Sequence, residues 1–237
     1  MTMSKPDLLR AAALNNARWC AAMSRSHGVE GDFGPGAWTA PQRTPSSYPD
    51  AVTLTPHEDA GALTARIDTS APGASVKDSF ADLDLARHGF TALFEAQWIH
   101  RPAGPPAREP EAAWDVMRHP AALRAWARAW AAGEDDDAFL FQPGLLAEPE
   151  VLLLAGRDPD GRVVAGAVAS PSDGVLGISN VFAETGGPAA AWPVVLDAAH
   201  TLFPDVPLVG YERGDALTAA RGQGFAPLGP LRVWLHG

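Results

Sequence analysis

Between Gly177 and Tyr211 the chain reads strand, glycine turn, helix, strand, an order that calls for a sheet with a helix packed on one face. Gly177-Ile178-Ser179-Asn180-Val181-Phe182-Ala183 runs into Glu184-Thr185-Gly186-Gly187-Pro188-Ala189. A helix then spans about 189–203, with Trp192, Val195, Leu196, Ala199 and Phe203 on one face and Pro204 ending it. The chain returns through the apolar strand Pro207-Leu208-Val209-Gly210-Tyr211. A strand, a crossover helix and a second strand of this length predict two parallel neighbours. The glycine turn suits an anion, because backbone N–H groups and the positive end of the following helix converge there.

The flanking segments extend the pattern. Val151 to Ala155, Val163 to Ala169 and Val175 to Ala183 form an expected antiparallel meander, with turns at Asp158-Pro159-Asp160-Gly161 and Pro171-Ser172-Asp173-Gly174. After Tyr211 come a short helix at 215–221, Gly224-Phe225, and a closing strand Leu231 to Leu235. This series resembles the C-terminal half of the GCN5-related N-acetyltransferase (GNAT) superfamily. The resemblance implies an α/β fold of the α+β, mixed-sheet kind. It implies acetyl-CoA or another acyl-CoA as cofactor, its pyrophosphate on the turn at Gly186, Gly187 and Ala189. It also gives the backbone of Val181, Phe182 and Ala183 to the pantetheine arm, in a gap where the two parallel strands splay.

Two positions depart from the superfamily's pattern. Its turn opens on Gln or Arg, where this chain has Glu184, and a carboxylate repels a pyrophosphate unless it points away or pairs with a cation. Before Gly224-Phe225 the superfamily commonly has a Tyr that protonates the departing thiolate; Ala219 and Ala220 stand here. The chemistry would then fall to side chains at the gap. Acyl transfer to an amine needs a base for the nucleophile and an acid for the thiolate. Glu212 and Tyr211, at the end of the second strand, are the expected base and acid. Ser179 and Asn180, on the facing strand, would bind the acyl carbonyl or position a water. Three functions stay open: an N-acyltransferase acting on a small amine or amino-acid-like acceptor, a GNAT-fold binding protein without catalysis, and a thioester-using enzyme of different chemistry.

Towards the N-terminus, 6–26 reads as a helix with Ser4 as N-cap. From His27 to Pro49 the pattern dissolves into Gly, Pro and Ser with Phe33, Trp38 and Tyr48 among them, the composition of a loop stapled by aromatics or of a lid. Gly89-Phe90-Thr91-Ala92-Leu93 followed by Trp98-Ile99-His100 echoes Gly224-Phe225-Ala226-Pro227-Leu228 followed by Trp234-Leu235-His236, which suggests a degenerate GNAT-like half in the N-terminal extension. The expected organisation is therefore residues 1–100, a Pro/Gly/Ala-rich linker at 101–113, and a GNAT-like domain over 114–237. A helix at about 120–132 carries Leu123, Trp126, Ala127 and Trp130 on one face, the usual signature of core packing.

Composition excludes several alternatives. With 28 acidic against 18 basic residues the net charge is −10, which disfavours nucleic acid and suits a cationic amine acceptor. One cysteine, Cys20, excludes an internal disulfide, and the acidic run Glu134-Asp135-Asp136-Asp137 lacks the spaced partners of a metal site. Cys20 itself falls on the apolar stripe of the first helix and is expected to pack there. His200 and His236 read as packing or surface residues. No apolar run reaches the roughly 18 residues that cross a membrane, and the N-terminus lacks a secretory core. A cytoplasmic monomer or homodimer is expected.

Overall fold

The computed structural model describes residues 3–104, 113–134, 138–172 and 174–237. Most of the expected linker, Asp135 to Asp137 of the acidic run, and Asp173 of the second turn lie outside the described residues. The chain forms two compact units, Met1–Trp98 with Pro227–Gly237, and Ile99–Ala226.

In the first unit, α1 (Lys5–Ser26) starts as its sequence dictates. Ser4 caps it by accepting from the Asp7 N–H, and Pro6 occupies the first turn, where its missing N–H costs nothing. Its inner face buries Leu8, Ala12, Trp19, Cys20 and Met23. Cys20 sits among Ala17, Ala21, Trp38 and Val52, and burial raises its thiol pKa, which keeps it neutral. The strands are β1 (Asp32–Phe33), β2 (Ala37–Thr39), β3 (Ala51–Thr53), β4 (Ser75–Asp78), β5 (Phe90–Arg101) and the last of the chain, β11 (Ala226–His236); a short helix α2 (Ala60–Thr64) follows β3. Within this unit their order is β1-β2-β3-β4-β11-β5. β11 lies antiparallel to β4, with Trp234 opposite Val76. The stretch 27–49 thus contributes β1 and β2, strands of two and three residues, too short for periodicity to register. Trp38 is fully buried there, and Trp19 meets Tyr48 edge-on at 5.8 Å.

The echoed Gly-Phe segments share one local device. Gly89 (φ 84°) and Gly224 (φ 85°) are left-handed residues ending a helical turn, and each following Phe N–H donates to the carbonyl five residues back, Phe90 to Leu85 and Phe225 to Ala220. Both phenylalanines enter a core, and His236 packs edge-on against Phe90 at 5.0 Å.

The second unit holds β6 (Ala113–Val116), α3 (Pro120–Trp130), β7 (Leu152–Arg157), β8 (Val163–Ser172), β9 (Val175–Ala183), α4 (Gly187–Leu202), β10 (Leu208–Glu212) and α5 (Gly214–Gly222). Strand order is β10-β9-β8-β7-β6. β6 to β9 are antiparallel to their neighbours, and β10 runs parallel to β9, as the crossover requires. On one face Leu154, Ala167, Leu176, Ile178 and Leu208 pack against Trp192, Val195 and Ala199 of α4. On the other, Trp126 of α3 meets Phe182 of β9 at 5.1 Å and Phe141 at 4.8 Å, both edge-on. Trp126 is fully buried, the ordinary packing role expected for its helix. His200 is buried within α4, its Nε2 3.0 Å from Nη1 of Arg101; since a guanidinium only donates, that nitrogen accepts and the ring is neutral. Among the described residues, no helix is long and apolar enough to cross a membrane and no His, Cys, Asp or Glu cluster could hold a metal.

Candidate functional site

The site forms where β9 and β10 part. Their registered pairs are Leu208 with Leu176 and Val209 with Gly177. At the next step the backbones still touch: a Cβ on Gly210 would lie 2.7 Å from the Ile178 carbonyl oxygen, so only glycine fits. β9 then continues to Ala183 and β10 to Glu212 with no further registered pair among the described residues.

A bulge in β9 turns the strand at this point. Its register against β8 shifts between Gly166–Phe182 and Val168–Ser179, two residues of β8 facing three of β9. The extra residue brings Asn180 to φ 53°, a left-handed conformation that asparagine tolerates better than most. The consequence is visible in the packing. Ile178 faces the α4 cluster, and beyond the bulge it is Val181 and Ala183, not 180 and 182, that return to that cluster. Phe182 points instead towards Trp126. Ser179, beside the bulge, has a buried Oγ without a hydrogen-bond partner, a polar group available to a ligand or a water.

At the end of β9 the turn is built from two left-handed glycines, Gly186 (φ 76°) and Gly187 (φ 64°). Gly186 is the N-cap of α4 and offers no side-chain oxygen, so no side chain closes the first turn of that helix. Gly186, Gly187 and Ala189 are exposed. The Glu184 N–H donates to the Val164 carbonyl at 2.8 Å, which fixes the turn to the start of β8. The Glu184 carboxylate accepts from Nη2 of Arg162 at 2.9 Å, so the anion is paired with a cation. Arg162 also donates through Nε to Asp158, 3.1 Å away.

At the end of β10, Tyr211 and Glu212 are half-buried. Burial alone pushes the Glu212 carboxyl up to about 7, the range of a general base working near neutral pH. Strand alternation sends Glu212 to the side of Leu208 and Tyr211 to the side of Val209. The two lie two and three residues beyond Val209, and Ser179 and Asn180 lie two and three beyond its partner Gly177. The four expected chemical residues therefore occupy the stretch where the strands separate. Ala220, one of the two alanines ahead of Gly224-Phe225, is fully buried in the same core cluster as Phe225, Leu208 and the inner face of α4.

Sequence reasoning missed Arg162 and the bulge. Arg162 was partly within reach: the turn at 158–161 sets the β7–β8 hairpin, and counting along β8 and β9 brings the start of β8 to within one residue of its observed partner, Ala165 opposite Ala183, the difference being the bulge. The bulge left no such signal, because Ser179-Asn180-Val181 reads as ordinary strand.

No protein-family model and no curated protein matches the sequence. Solved structures do match in fold. A GCN5-related N-acetyltransferase from Kribbella flavida superposes with a TM-score of 0.61 at 15% identity over 95% of both chains. A putative GNAT-family acetyltransferase from Novosphingobium aromaticivorans follows at 0.56 and 12% identity, over 95% of this chain and 99% of that one. The Saccharomyces cerevisiae N-myristoyltransferase with bound myristoyl-CoA reaches 0.50 at 10% identity, over 69% of this chain and 50% of that one. Parallel β9 and β10 joined through α4, the bulge at Asn180 and the glycine turn at its helix thus belong to a chain with the mixed α/β fold of the GCN5-related N-acetyltransferases.

Proposed function

We propose that this protein is an acyl-CoA-dependent N-acyltransferase, most simply an acetyltransferase, acting on a small amine or amino-acid-like acceptor in the cytoplasm. The observation that carries this reading is the opened β9–β10 pair, which has the glycine turn at the end of one strand and a carboxyl titrating near pH 7 at the end of the other. The unpaired edge of β9 over Val181, Phe182 and Ala183 offers backbone groups to a pantetheine arm. Gly186, Gly187 and Ala189 offer the turn and helix end to a pyrophosphate.

The reaction balances on the residues present. Glu212 accepts a proton from the acceptor ammonium, directly or through water, and the neutral amine attacks the thioester carbonyl. The C–N bond forms, the C–S bond breaks, Tyr211 donates a proton to the leaving thiolate, and the proton that the nitrogen sheds on becoming an amide returns through water to the Tyr211 phenolate, leaving amide, thiol and the one proton held by Glu212. Ser179 Oγ and Asn180 position the carbonyl or the water. A second reading, a GNAT-fold acyl-CoA or ligand-binding protein without catalysis, is favoured by one observation: Glu184 puts a carboxylate at the turn.

Titration calorimetry with acetyl-CoA tests cofactor binding. Gly187→Val should weaken it by about tenfold, roughly 1.4 kcal/mol, because a β-branched residue at φ 64° is strained and its side chain would stand where the pyrophosphate approaches the backbone. Unchanged affinity in the folded variant would remove the turn from the site. Tyr211→Phe keeps the ring and deletes the hydroxyl; kcat should fall by about 10²-fold with little change in melting temperature. Equal turnover by the two proteins would exclude Tyr211 as the donor, and failure of the wild type to acylate any of an amine panel despite tight cofactor binding would favour the binding-protein reading.

A further inference from the structure

We propose that Arg162, on the β7–β8 turn, is the cation this chain presents to the diphosphate of an acyl-CoA, and that Glu184 competes for it and lowers cofactor affinity. The inference rests on the acyl-CoA reading above.

Three observations converge. The turn replaces the superfamily's Gln or Arg with Glu184, so a diphosphate arriving at Gly186 and Gly187 would meet a carboxylate two residues away. The structure sets a guanidinium on that carboxylate: Arg162 Nη2 lies 2.9 Å from Glu184 Oε2. This placement is built rather than incidental. The Arg162 backbone N–H donates to Asp158 Oδ1 at 2.9 Å while its Nε donates to Oδ2 of the same carboxylate, so backbone and side chain are clamped together. The hairpin is braced separately, by Arg157 Nη1 donating to the Gly161 carbonyl at 2.8 Å and Nη2 to Asp115 at 3.1 Å. Arg157 is thereby committed to the scaffold.

Charge decides how the group works. A guanidinium has five N–H donors, and Arg162 uses one on Asp158 and one on Glu184. Its side chain is 64% exposed, so the remaining donors face solvent. Asp158, Arg162 and Glu184 together carry −1, which alone would repel a diphosphate. A ligand phosphate that takes over Nη2 from Glu184 gains a bidentate, charge-assisted contact, and the displaced carboxylate turns to water. Because both partners are exposed, their ion pair is weak and the exchange is cheap. The chain therefore binds its cofactor less tightly than one with a neutral residue at 184, and in a salt-dependent way.

Calorimetry with acetyl-CoA on the wild type and two single variants tests this, with thermal melting confirming that each variant is folded. Arg162→Gln should raise Kd by about tenfold, the loss of a hydrogen bond to a charged group. Glu184→Gln should lower Kd by about threefold, because it removes both the competitor for Arg162 and a charge that repels the diphosphate. Affinity of the wild type should also fall more steeply than that of Arg162→Gln between low salt and about 1 M, where the Debye length is about 3 Å, a response that a merely structural arginine would not show. Equal Kd for wild type and Arg162→Gln, or no gain from Glu184→Gln, would overturn the inference while leaving the acyl-CoA reading in place. A wild type that binds no acetyl-CoA would overturn the reading itself, and the inference with it.

Discussion

Replacing Glu212 by Gln is expected to lower kcat by about 10²- to 10⁴-fold, the usual contribution of a positioned general base. The amide keeps the size of the side chain and cannot take a proton. The pH profile is the sharper readout. The base works ionised, and its carboxyl titrates at about 7, so kcat/KM of the wild type should climb through that pH and level off above it. In Glu212→Gln the climb should disappear. Stability should move the other way. Burial raises the folded-state pKa above the ordinary 4.5, so between 4.5 and about 7 the unfolded chain holds fewer protons than the folded one. Stability therefore falls as pH rises through that window, and Glu212→Gln should flatten the fall. A pH–rate profile unchanged by the substitution would show that another group is the base.

Trp126→Ala should cost about 3–5 kcal/mol of stability, the range for truncating a large buried aromatic. Trp126 fills the space between α3 and the sheet so closely that a Cβ on Gly166 would sit 2.6 Å from its Nε1. That Nε1 donates to the Leu154 carbonyl at 2.7 Å, and the ring holds Phe141 and Phe182 edge-on. Trp126→Phe keeps most of the apolar volume but leaves the carbonyl without its donor, and about 1–3 kcal/mol should be lost. Urea unfolding checks both values. Because Phe182 is the residue next to the bulged segment of β9, a folded Trp126→Phe protein should also bind acetyl-CoA less tightly; unchanged affinity would uncouple the α3 face from the site.

The elements around the site were legible because each is dictated locally. The crossover was readable from a strand, a helix with one apolar face, Pro204 and a second strand; its direction follows from chain length and handedness and needs no tertiary information. Ser4, Pro6 and the Gly-Phe pairs marked ends of elements for equally local reasons, a cap oxygen, a missing N–H and a φ above zero. Glu184 could be recognised as a departure for the same reason: a carboxylate in an anion turn is a conflict visible in the residue itself.

Interactions between segments distant in the chain decided the rest. That Glu184 is paired with Arg162, 22 residues away, depends on hairpin register. The bulge at Asn180 arises from a mismatch between two strands, which neither strand's own periodicity contains, and it alone brings Val181 and Ala183, rather than Asn180 and Phe182, to the face that Ile178 turns towards α4. The sequence by itself determined which segments become strands and helices around the β9–α4–β10 crossover, and which residue types stand at its open end. Tertiary structure decided that β11 pairs with β4, that Ser179 is left without a partner, and that the Glu212 carboxyl is desolvated into the titration range of a base. The physical reason is the same in each case: local conformation depends on neighbours in the chain, whereas register, burial and charge pairing depend on neighbours in space.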